Sequence, residues 1–273
     1  MLRRFSKSIL FAPLLSLLFV GFVVSCGDDD DKEDVQTSSS NQDNGNSDKV
    51  YTVNGVSFKM IAVKGGTFTM GASSEQTGAY SDESPTHSVT LSDYYIGETE
   101  VTQELWSAVM GSNPSNFTGD MQRPVEMVSW DDCQTFISRL NELTGETFRL
   151  PTEAQWEYAA RGGNKSKGYI YSGSNTIDDV AWYSSSTTHP VKTKAPNELG
   201  IYDMSGNVWE WCSDWYGSYS SAAQTDPTGP STGSYRVCRG GGWNGYASGC
   251  RVAGRFHDAP TISYFSLGLR LAH

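Results

Sequence analysis

Apolar and polar residues alternate in the first third of the chain, and this period of two predicts β-strands. Residues 51–70 alternate in this way and are interrupted at Gly65 and Gly66, which predicts a hairpin that turns at these glycines. Residues 87–96 show the same alternation and are predicted to form another strand.

Three helices are predicted downstream, each of which begins after a capping residue and ends at a glycine. Asp132 follows Ser129 at the spacing of a capping box, and Gln155 follows Thr152 at the same spacing. The pairs of predicted cap and terminal glycine are Thr102 and Gly111, Ser129 and Gly145, and Thr152 and Gly162. From residue 165 onward Gly, Ser, Asn, Thr and Pro dominate, so we expect long loops on a small sheet. The pattern therefore favours an α+β domain with little regular secondary structure.

The first 25 residues have the pattern of a signal peptide. Basic residues come first, and residues 9–24 form an apolar run too short for an ordinary membrane-spanning helix. The run ends in Val23, Val24, Ser25 and Cys26, which resembles a bacterial lipobox. Cys26 is then predicted to be the lipidated first residue of the mature protein. A plain secretory signal with a chance cysteine is the alternative.

Residues 26–49 comprise the lipidated cysteine and a predicted disordered tether, in which residues 27–49 contain an acidic run and a single apolar residue, Val35. The acidic run resembles surface-export signals of lipoproteins in some Gram-negative bacteria, although a solvated spacer explains it equally well. We therefore expect a cell-envelope protein that is lipid-anchored to the outer membrane and exposed at the cell surface.

Residues 50–273 are long enough for one domain, and its charge argues against nucleic acid as a partner. The formal net charge is −11, to which the signal peptide contributes +3 and the tether −6, so that −8 remains on the domain. Its cysteines match no zinc-site spacing, and each is predicted to be a small buried hydrophobic residue rather than half of a disulfide; they are Cys133, Cys212, Cys238 and Cys250. The histidines are scattered, so no histidine-based metal site is predicted.

Residues 200–216 (GIYDMSGNVWEWCSDWY) contain three of the eight tryptophans, interleaved with acidic residues. Together with residues 149–163 (RLPTEAQWEYAARGG) and residues 236–243 (RVCRGGGW), this segment closely resembles the sulfatase-modifying-factor, or formylglycine-generating-enzyme, family. The order and spacing of the three motifs also match. The resemblance covers the chain from about residue 50 to its end and implies the variant of the C-type-lectin fold that this family adopts.

The family's oxidase chemistry is not expected to carry over. The resemblance implies that true members oxidise a cysteine of a protein substrate with copper held by two cysteines in a C-x4-C arrangement. The first of these positions is Gly245 in this chain and the second is Cys250. A single thiolate does not offer the paired soft ligands that Cu(I) prefers. We therefore expect no copper and assign no catalytic residue, with Cys250 as the residual family position.

The resemblance also implies a structural calcium ion beside the Trp-rich segment. The matching positions are Asp203, Gly206, Val208 and Glu210. Calcium prefers several carboxylate and carbonyl oxygens, which these positions could supply. The alternative is that Asp203 and Glu210 only accept hydrogen bonds from loop N–H groups.

The C-terminal tail, residues 244–267, has an unusual composition. Residues 244–273 contain no Trp, Met, Lys, Gln or Glu, although these types make up about a sixth of the chain and roughly five would be expected. Adenine-directed mutagenesis of asparagine codons never produces these five types. The tail thus looks like the variable region of a diversity-generating-retroelement target protein, a class in which the C-type-lectin fold displays a diversified binding surface. Ordinary drift of a loop is the alternative.

Aromatic residues and small polar residues, which paratopes favour, stand between the framework residues of the tail. The predicted ligand-binding residues are Asn244, Gly245, Tyr246, Ser248, Gly249, Gly254, Phe256, His257, Asp258, Ile262, Tyr264 and Phe265. An exposed cluster of Tyr246, Phe256, Tyr264 and Phe265 would form an interaction patch for a protein or glycan partner.

Three functions remain open from the sequence. The favoured one is a lipid-anchored binding protein that recognises its partner through the tail. The second is an oxidase of the formylglycine-generating type, and the third is a structural lipoprotein of an envelope assembly for secretion or motility.

Overall fold

The computed structural model describes residues 47–72 and 78–273. The predicted signal peptide, Cys26 and most of the predicted tether lie outside these residues. Asp48 belongs to the folded domain, because its carboxylate accepts a hydrogen bond from the Ala62 N–H (3.0 Å) and pairs with Lys59 (2.8 Å). The fold therefore begins slightly before the predicted end of the tether. None of the helices within the described residues has the length and apolar character needed to cross a bilayer.

Short strands and short helices alternate with long loops. The strands are β1 (Lys49–Val53), β2 (Val56–Val63), β3 (Gly66–Met70), β4 (His87–Leu91), β5 (Tyr94–Gly97), β6 (Trp209–Trp215), β7 (Gln224–Thr225), β8 (Arg236–Arg239), β9 (Arg255–Asp258) and β10 (Leu267–Leu269). The helices are α1 (Gln103–Met110), α2 (Trp130–Thr144), α3 (Glu153–Ala160) and α4 (Ile177–Val180), with 3-10 turns at Ser81–Glu83, Gly163–Lys165 and Ala247–Cys250.

The first strands form two sheets, which differ from the predicted pairing. β1, β2 and β5 make an antiparallel sheet, and the hairpin turns at Asn54 and Gly55, whose φ angles of 48° and 84° suit a two-residue hairpin turn. The predicted turn at Gly65 and Gly66 is wrong, since β3 pairs with β4 in a second sheet that β7 completes. Gly65 allows a close approach instead, because a Cβ there would lie 2.2 Å from the Leu91 carbonyl oxygen.

The predicted single strand over residues 87–96 is two strands, β4 and β5, which belong to different sheets. Asp93 stands between them, and its carboxylate accepts hydrogen bonds from the Gly65 N–H (2.9 Å) and from Lys64 (2.7 Å). These bonds hold the chain where it passes from one sheet to the other.

The predicted caps of α1, α2 and α3 are confirmed. The side chains of Thr102, Ser129 and Thr152 each accept a hydrogen bond from the backbone N–H three residues ahead. Gly111 and Gly145 cap the C-terminal ends of α1 and α2 in the left-handed conformation, and Arg161, just before Gly162, caps α3. The helices α1 and α2 pack together through stacked rings of Trp106 and Phe136.

A third sheet, in the order β10-β6-β8-β9, organises the C-terminal half. β6 pairs parallel with β10 and antiparallel with β8, and β8 pairs antiparallel with β9. The tail thus leaves the sheet after β8, returns to it as β9, and ends at β10. The four cysteines of the described residues are free and buried, which confirms their prediction as small core residues.

Four arginines of the C-terminal half are buried together with glutamates. The pairs are Arg239 with Glu157, Arg251 with Glu83, Arg255 with Glu153, and Arg270 with Glu210. Removal of one partner from such a pair leaves an uncompensated buried charge, which costs far more than the loss of an exposed pair.

The pair of Arg270 and Glu210 gives a direct test of this role. The substitution Arg270→Met keeps a side chain of similar length but leaves Glu210 without its cation, and we expect the free energy of unfolding to fall by about 3–5 kcal/mol. Urea unfolding followed by fluorescence measures the change. The matched substitution Lys64→Met, which breaks the exposed pair with Asp93 (2.7 Å), should have a much smaller effect. Equal effects of the two substitutions would contradict the structural role of the buried pair.

Candidate functional site

The Trp-rich segment is the structural support of the site. Trp211 is completely buried, and its indole N–H donates a hydrogen bond to the Val128 carbonyl (3.1 Å). The turn before β6 is fixed by Glu100, whose carboxylate accepts hydrogen bonds from the Asn207 side-chain amide (2.7 Å) and the Val208 N–H (3.0 Å). These contacts hold β6 rigidly against the core.

Trp209 lies directly beneath the tail. Its ring stacks obliquely against Phe256, with a centroid distance of 5.2 Å. Gly249 and Gly242 also lie against this ring, since a Cβ built at these positions would be 3.5 Å and 3.3 Å from it. The half-buried indole therefore serves as a fixed surface on which the tail packs.

The four aromatic residues predicted to be exposed do face solvent. The exposed fractions of their side chains are 82% for Tyr246, 40% for Phe256, 44% for Tyr264 and 42% for Phe265. Phe265 packs edge-on against the Phe117 ring and lies beside Trp243, whose indole N–H donates to the Phe265 carbonyl (3.0 Å). The exposed rings of Phe256 and Phe265 thus pack against aromatic rings that are buried or half-buried.

The other predicted tail residues divide by burial. Asn244 is exposed, and the half-buried residues are Gly245, Ser248, Gly249, His257, Asp258 and Ile262. The His257 ring stacks on Tyr216 at 3.9 Å. Gly254 departs from the prediction, because it is buried and its carbonyl accepts a hydrogen bond from the Arg239 guanidinium. It is part of the support rather than of the accessible face.

Three exposed residues from outside the tail also lie against it. Tyr80, 55% exposed, shares a hydrogen bond between its hydroxyl and that of Ser248 (3.2 Å). Met127 is also exposed, and its N–H donates to the Tyr264 carbonyl (2.9 Å). Tyr235 is exposed as well, with its ring 5.1 Å from that of His257. No sequence signal placed these residues here, because long-range folding alone brings them to the tail. We use the name exposed face for the surface formed by Tyr80, Met127 and Tyr235 together with the predicted tail residues other than the buried Gly254.

Inward-pointing arginines fix the tail beneath this face. The Arg251 guanidinium donates to the Glu83 carboxylate (2.6 Å), and the Arg255 Nε donates to Glu153 (2.6 Å). Gly245 is held on the opposite side, where its carbonyl accepts a hydrogen bond from the Ser184 N–H (3.0 Å). The tail is consequently ordered by its framework residues, while the exposed side chains carry little of the structure.

The sequence profile of the sulfatase-modifying factor enzyme 1-like domain matches residues 51–273. The chain belongs to this family.

Several relatives of this family member are close enough to compare over most of their length. The chaperone protein LppX of Paenibacillus barcinonensis is 38% identical, over 69% of this chain and 79% of that protein. The formylglycine-generating enzyme of Streptomyces coelicolor is 30% identical, over 78% of this chain and 88% of that enzyme. Among solved structures, Treponema denticola variable protein 1 superposes with a TM-score of 0.77 and 38% identity, over 84% of this chain and 99% of that one. The predicted fold is thus confirmed.

The two residues at the predicted copper positions lie in different surroundings. Gly245 stands at the first predicted copper position, and Cys250, the second, is completely buried. Burial raises the pKa of the Cys250 thiol to about 12, so the thiolate that binds copper or attacks a substrate is scarce at neutral pH. The side chain therefore has the surroundings of a core residue.

The four residues predicted to bind calcium lie close together in the chain, and both of their carboxylates have partners in the protein. Both oxygens of Glu210 are engaged by the Arg270 guanidinium, and Oε2 also accepts from the Trp156 indole N–H (2.6 Å). Asp203 is buried, and its carboxylate accepts a hydrogen bond from the Lys192 N–H (2.8 Å). Within the described residues, His, Cys, Asp and Glu side chains nowhere gather in a group of three or more that could hold a metal ion.

The charges around Glu210 explain this arrangement. Arg270 supplies a permanent positive charge where a calcium ion would have to approach Glu210. Burial raises the pKa of Asp203 to about 6, and burial together with the charge of Asp203 raises the pKa of Glu100 well above its usual range. The Arg270 guanidinium thus balances part of the negative charge around Glu210.

Thermal melting with and without a chelator tests the calcium prediction. If Arg270 is the permanent partner of Glu210, EDTA should leave the midpoint unchanged within error, and added calcium should not raise it. A fall of several degrees in EDTA that calcium reverses would show that Glu210 exchanges Arg270 for the ion, because a ligand of the native state stabilises it by mass action.

Proposed function

We propose that this chain is a lipid-anchored binding protein of the cell envelope that recognises its partner through the exposed face. The distribution of exposed hydrophobic side chains carries the proposal. Ten large hydrophobic side chains are exposed in the described residues, and seven of them lie in the tail or contact it. A concentration of this kind marks an interaction site, whereas scattered single residues do not.

The chemistry of the exposed face favours a protein partner. Tyr246, Phe256, Tyr264 and Phe265 provide rigid aromatic contacts with few rotatable bonds, and Asn244 and Ser248 provide adaptable hydrogen-bonding groups. Charge is sparse, because Arg251 and Arg255 point inward and Asp258 is the one acidic residue of the tail. A glycan partner is the alternative outcome of a binding assay.

The membrane anchor is proposed from the sequence. The lipobox places lipidation at Cys26, and the acidic tether then separates the exposed face from the membrane by some twenty residues of chain. Anchoring in the outer membrane with the domain at the cell surface would give the exposed face access to partners outside the cell.

We further propose that the tail is diversified by a retroelement. The restricted composition of residues 244–273 motivates the proposal, and similarity to a protein named variable protein 1 supports it. The contacts add a physical reason: framework arginines hold the tail from the inside, so substitutions at the exposed positions leave the fold intact.

The genome of the source organism tests diversification. We expect a near-copy of the 3′ end of the gene, different mainly at adenines, beside a gene for a reverse transcriptase. The codons of the exposed positions, such as Tyr246 and Tyr264, should align with adenine-containing codons of that copy, and those of Arg251 and Arg255 should be invariant. Absence of such a copy would exclude the diversification proposal and favour a structural role in an envelope assembly.

Two aromatic substitutions in the same segment test whether the exposed rings contribute less to stability than the buried rings beneath them. Tyr246→Ser removes a ring that is 82% exposed, and we expect the free energy of unfolding to change by no more than about 0.5 kcal/mol. Trp243→Ser removes a ring that is only 8% exposed and should cost about 3–5 kcal/mol. Denaturant unfolding of both variants measures the difference. Similar large losses would mean that the face is part of the structural core and is unsuited to diversification.

A further inference from the structure

A cavity lies apart from the exposed face on which the proposed function depends. It encloses about 550 Å³ between the sheet of β3, β4 and β7, the end of β6, and the loop over residues 217–230. Its lining includes His87, Glu153, Asp214, Tyr219, Thr225 and Pro230. Of the tail, only the framework residue Arg255 reaches it.

Asp214 lines this cavity, and one of its carboxylate oxygens has no hydrogen-bond partner among the described residues. The residue is 4% exposed. Its Oδ2 accepts hydrogen bonds from the Glu153 N–H and the Ser213 hydroxyl, both at 3.0 Å, whereas Oδ1 accepts none from the described residues. Gly229 keeps the space beside Oδ1 open, since a Cβ there would lie 3.1 Å from this oxygen. An oxygen in this position is open to the cavity and can accept a hydrogen bond from a ligand bound there.

His87 presents a second unused acceptor to the cavity. The residue is 5% exposed, and its ring packs against Tyr219 with a centroid distance of 4.8 Å. Nδ1 lies 3.2 Å from the Pro85 carbonyl oxygen, which can only accept, so Nδ1 carries the proton. Nε2 of the neutral ring is then an acceptor, and it has no partner among the described residues.

The charges of the lining exclude an anionic ligand. The Arg255 guanidinium is fully engaged by the Glu153 carboxylate and by the carbonyls of Asp82 and Gly217. This pair is neutral overall, so Asp214 is the remaining acidic group of the lining, and the charges of Arg149 and Arg236 act on it from outside the cavity. A ligand that fits must therefore bring hydrogen-bond donors and a positive charge.

We propose that this cavity binds a small organic cation whose ammonium group donates hydrogen bonds to Asp214 Oδ1 and His87 Nε2. An ammonium group is positively charged and has three N–H donors, which are enough for one hydrogen bond to each of these two acceptors. The apolar remainder of the ligand would lie against Met70, Pro227 and Pro230, which also line the cavity. The site is independent of the exposed face, so its loss would leave partner recognition unaffected.

Probes of equal shape and different charge test the proposal on the purified full-length protein. Cyclohexylammonium, cyclohexanol and cyclohexanecarboxylate share one skeleton, and ligand-observed NMR titration gives their dissociation constants. We expect saturable binding of the ammonium and at least tenfold weaker binding of the other two. Asp214→Asn should weaken ammonium binding at least tenfold, whereas Asp131→Asn, the same change at an exposed position, should leave it unchanged.

The pH dependence of the unmodified protein gives a second test that requires no variant. Burial and the charge of Glu153 raise the pKa of Asp214 to about 7, against the opposing charge of Arg255. Arg149 and Arg236 also act on this carboxylate, and His87 faces the same cavity. Protonation of Asp214 removes an acceptor and a negative charge, so affinity for the ammonium should fall about 100-fold from pH 8 to pH 5.

Three results would overturn the proposal. They are no saturable binding of the ammonium at pH 8, binding of cyclohexanol as tight as that of cyclohexylammonium, and affinity that does not change between pH 8 and pH 5. None of these results bears on the exposed face, because Tyr246 and its neighbours do not line the cavity.

Discussion

Buried guanidinium groups are the interaction on which the C-terminal half of this domain depends. A chain with so little helix and sheet leaves many backbone carbonyls without partners, and a buried carbonyl without a donor is costly. Arg239 donates to the carbonyls of Ala253 and Gly254, and Arg270 donates to those of Gly97 and Tyr202. Each arginine thus supplies donors that regular secondary structure would otherwise supply. The glutamates then compensate the buried positive charges, which makes each pair a unit that cannot lose one member.

This arrangement separates stability from recognition within one segment. Arg251 and Arg255 bind glutamates of the preceding part of the chain, and Trp209 supports the tail from β6. The residues between these anchors, such as Tyr246 and Tyr264, face solvent. A surface built in this way can change its side chains without a change in the contacts that order its backbone. Diversification requires this property, and an enzyme whose tail held its catalytic ligands would not have it.

The sequence predicted local features well and long-range features poorly, for a physical reason. Helix ends depend on residues three or four positions apart, so Thr102, Ser129 and Thr152 were correctly identified as caps. Strand pairing depends on the whole fold, and the alternating pattern of residues 51–70 carries no record that β3 pairs with β4. The Trp-rich segment revealed the family because its motifs are long and specific.

The site shows the same division. The exposed aromatic residues of the tail were predicted from composition, because paratope-like residue types stand out locally. Tyr80, Met127 and Tyr235 were missed, since each meets the tail only after folding. The cation that engages Glu210 was missed as well: Arg270 lies sixty residues away, and the family pattern suggested calcium at the same carboxylate. A family resemblance predicts which residues lie close together, whereas the cation that balances their negative charge is seen only in the structure.

Strand β9 contributes residues to both the exposed face and the lining of the cavity beside Asp214. Successive side chains of a strand point to opposite faces. Arg255 therefore points inward, where it reaches the cavity of Asp214, and Phe256 points outward onto the exposed face. Glu153 holds Arg255 in this position, and the backbone that follows is fixed with it. The cavity and the exposed face thus share one structural element, although they share no ligand-binding residue.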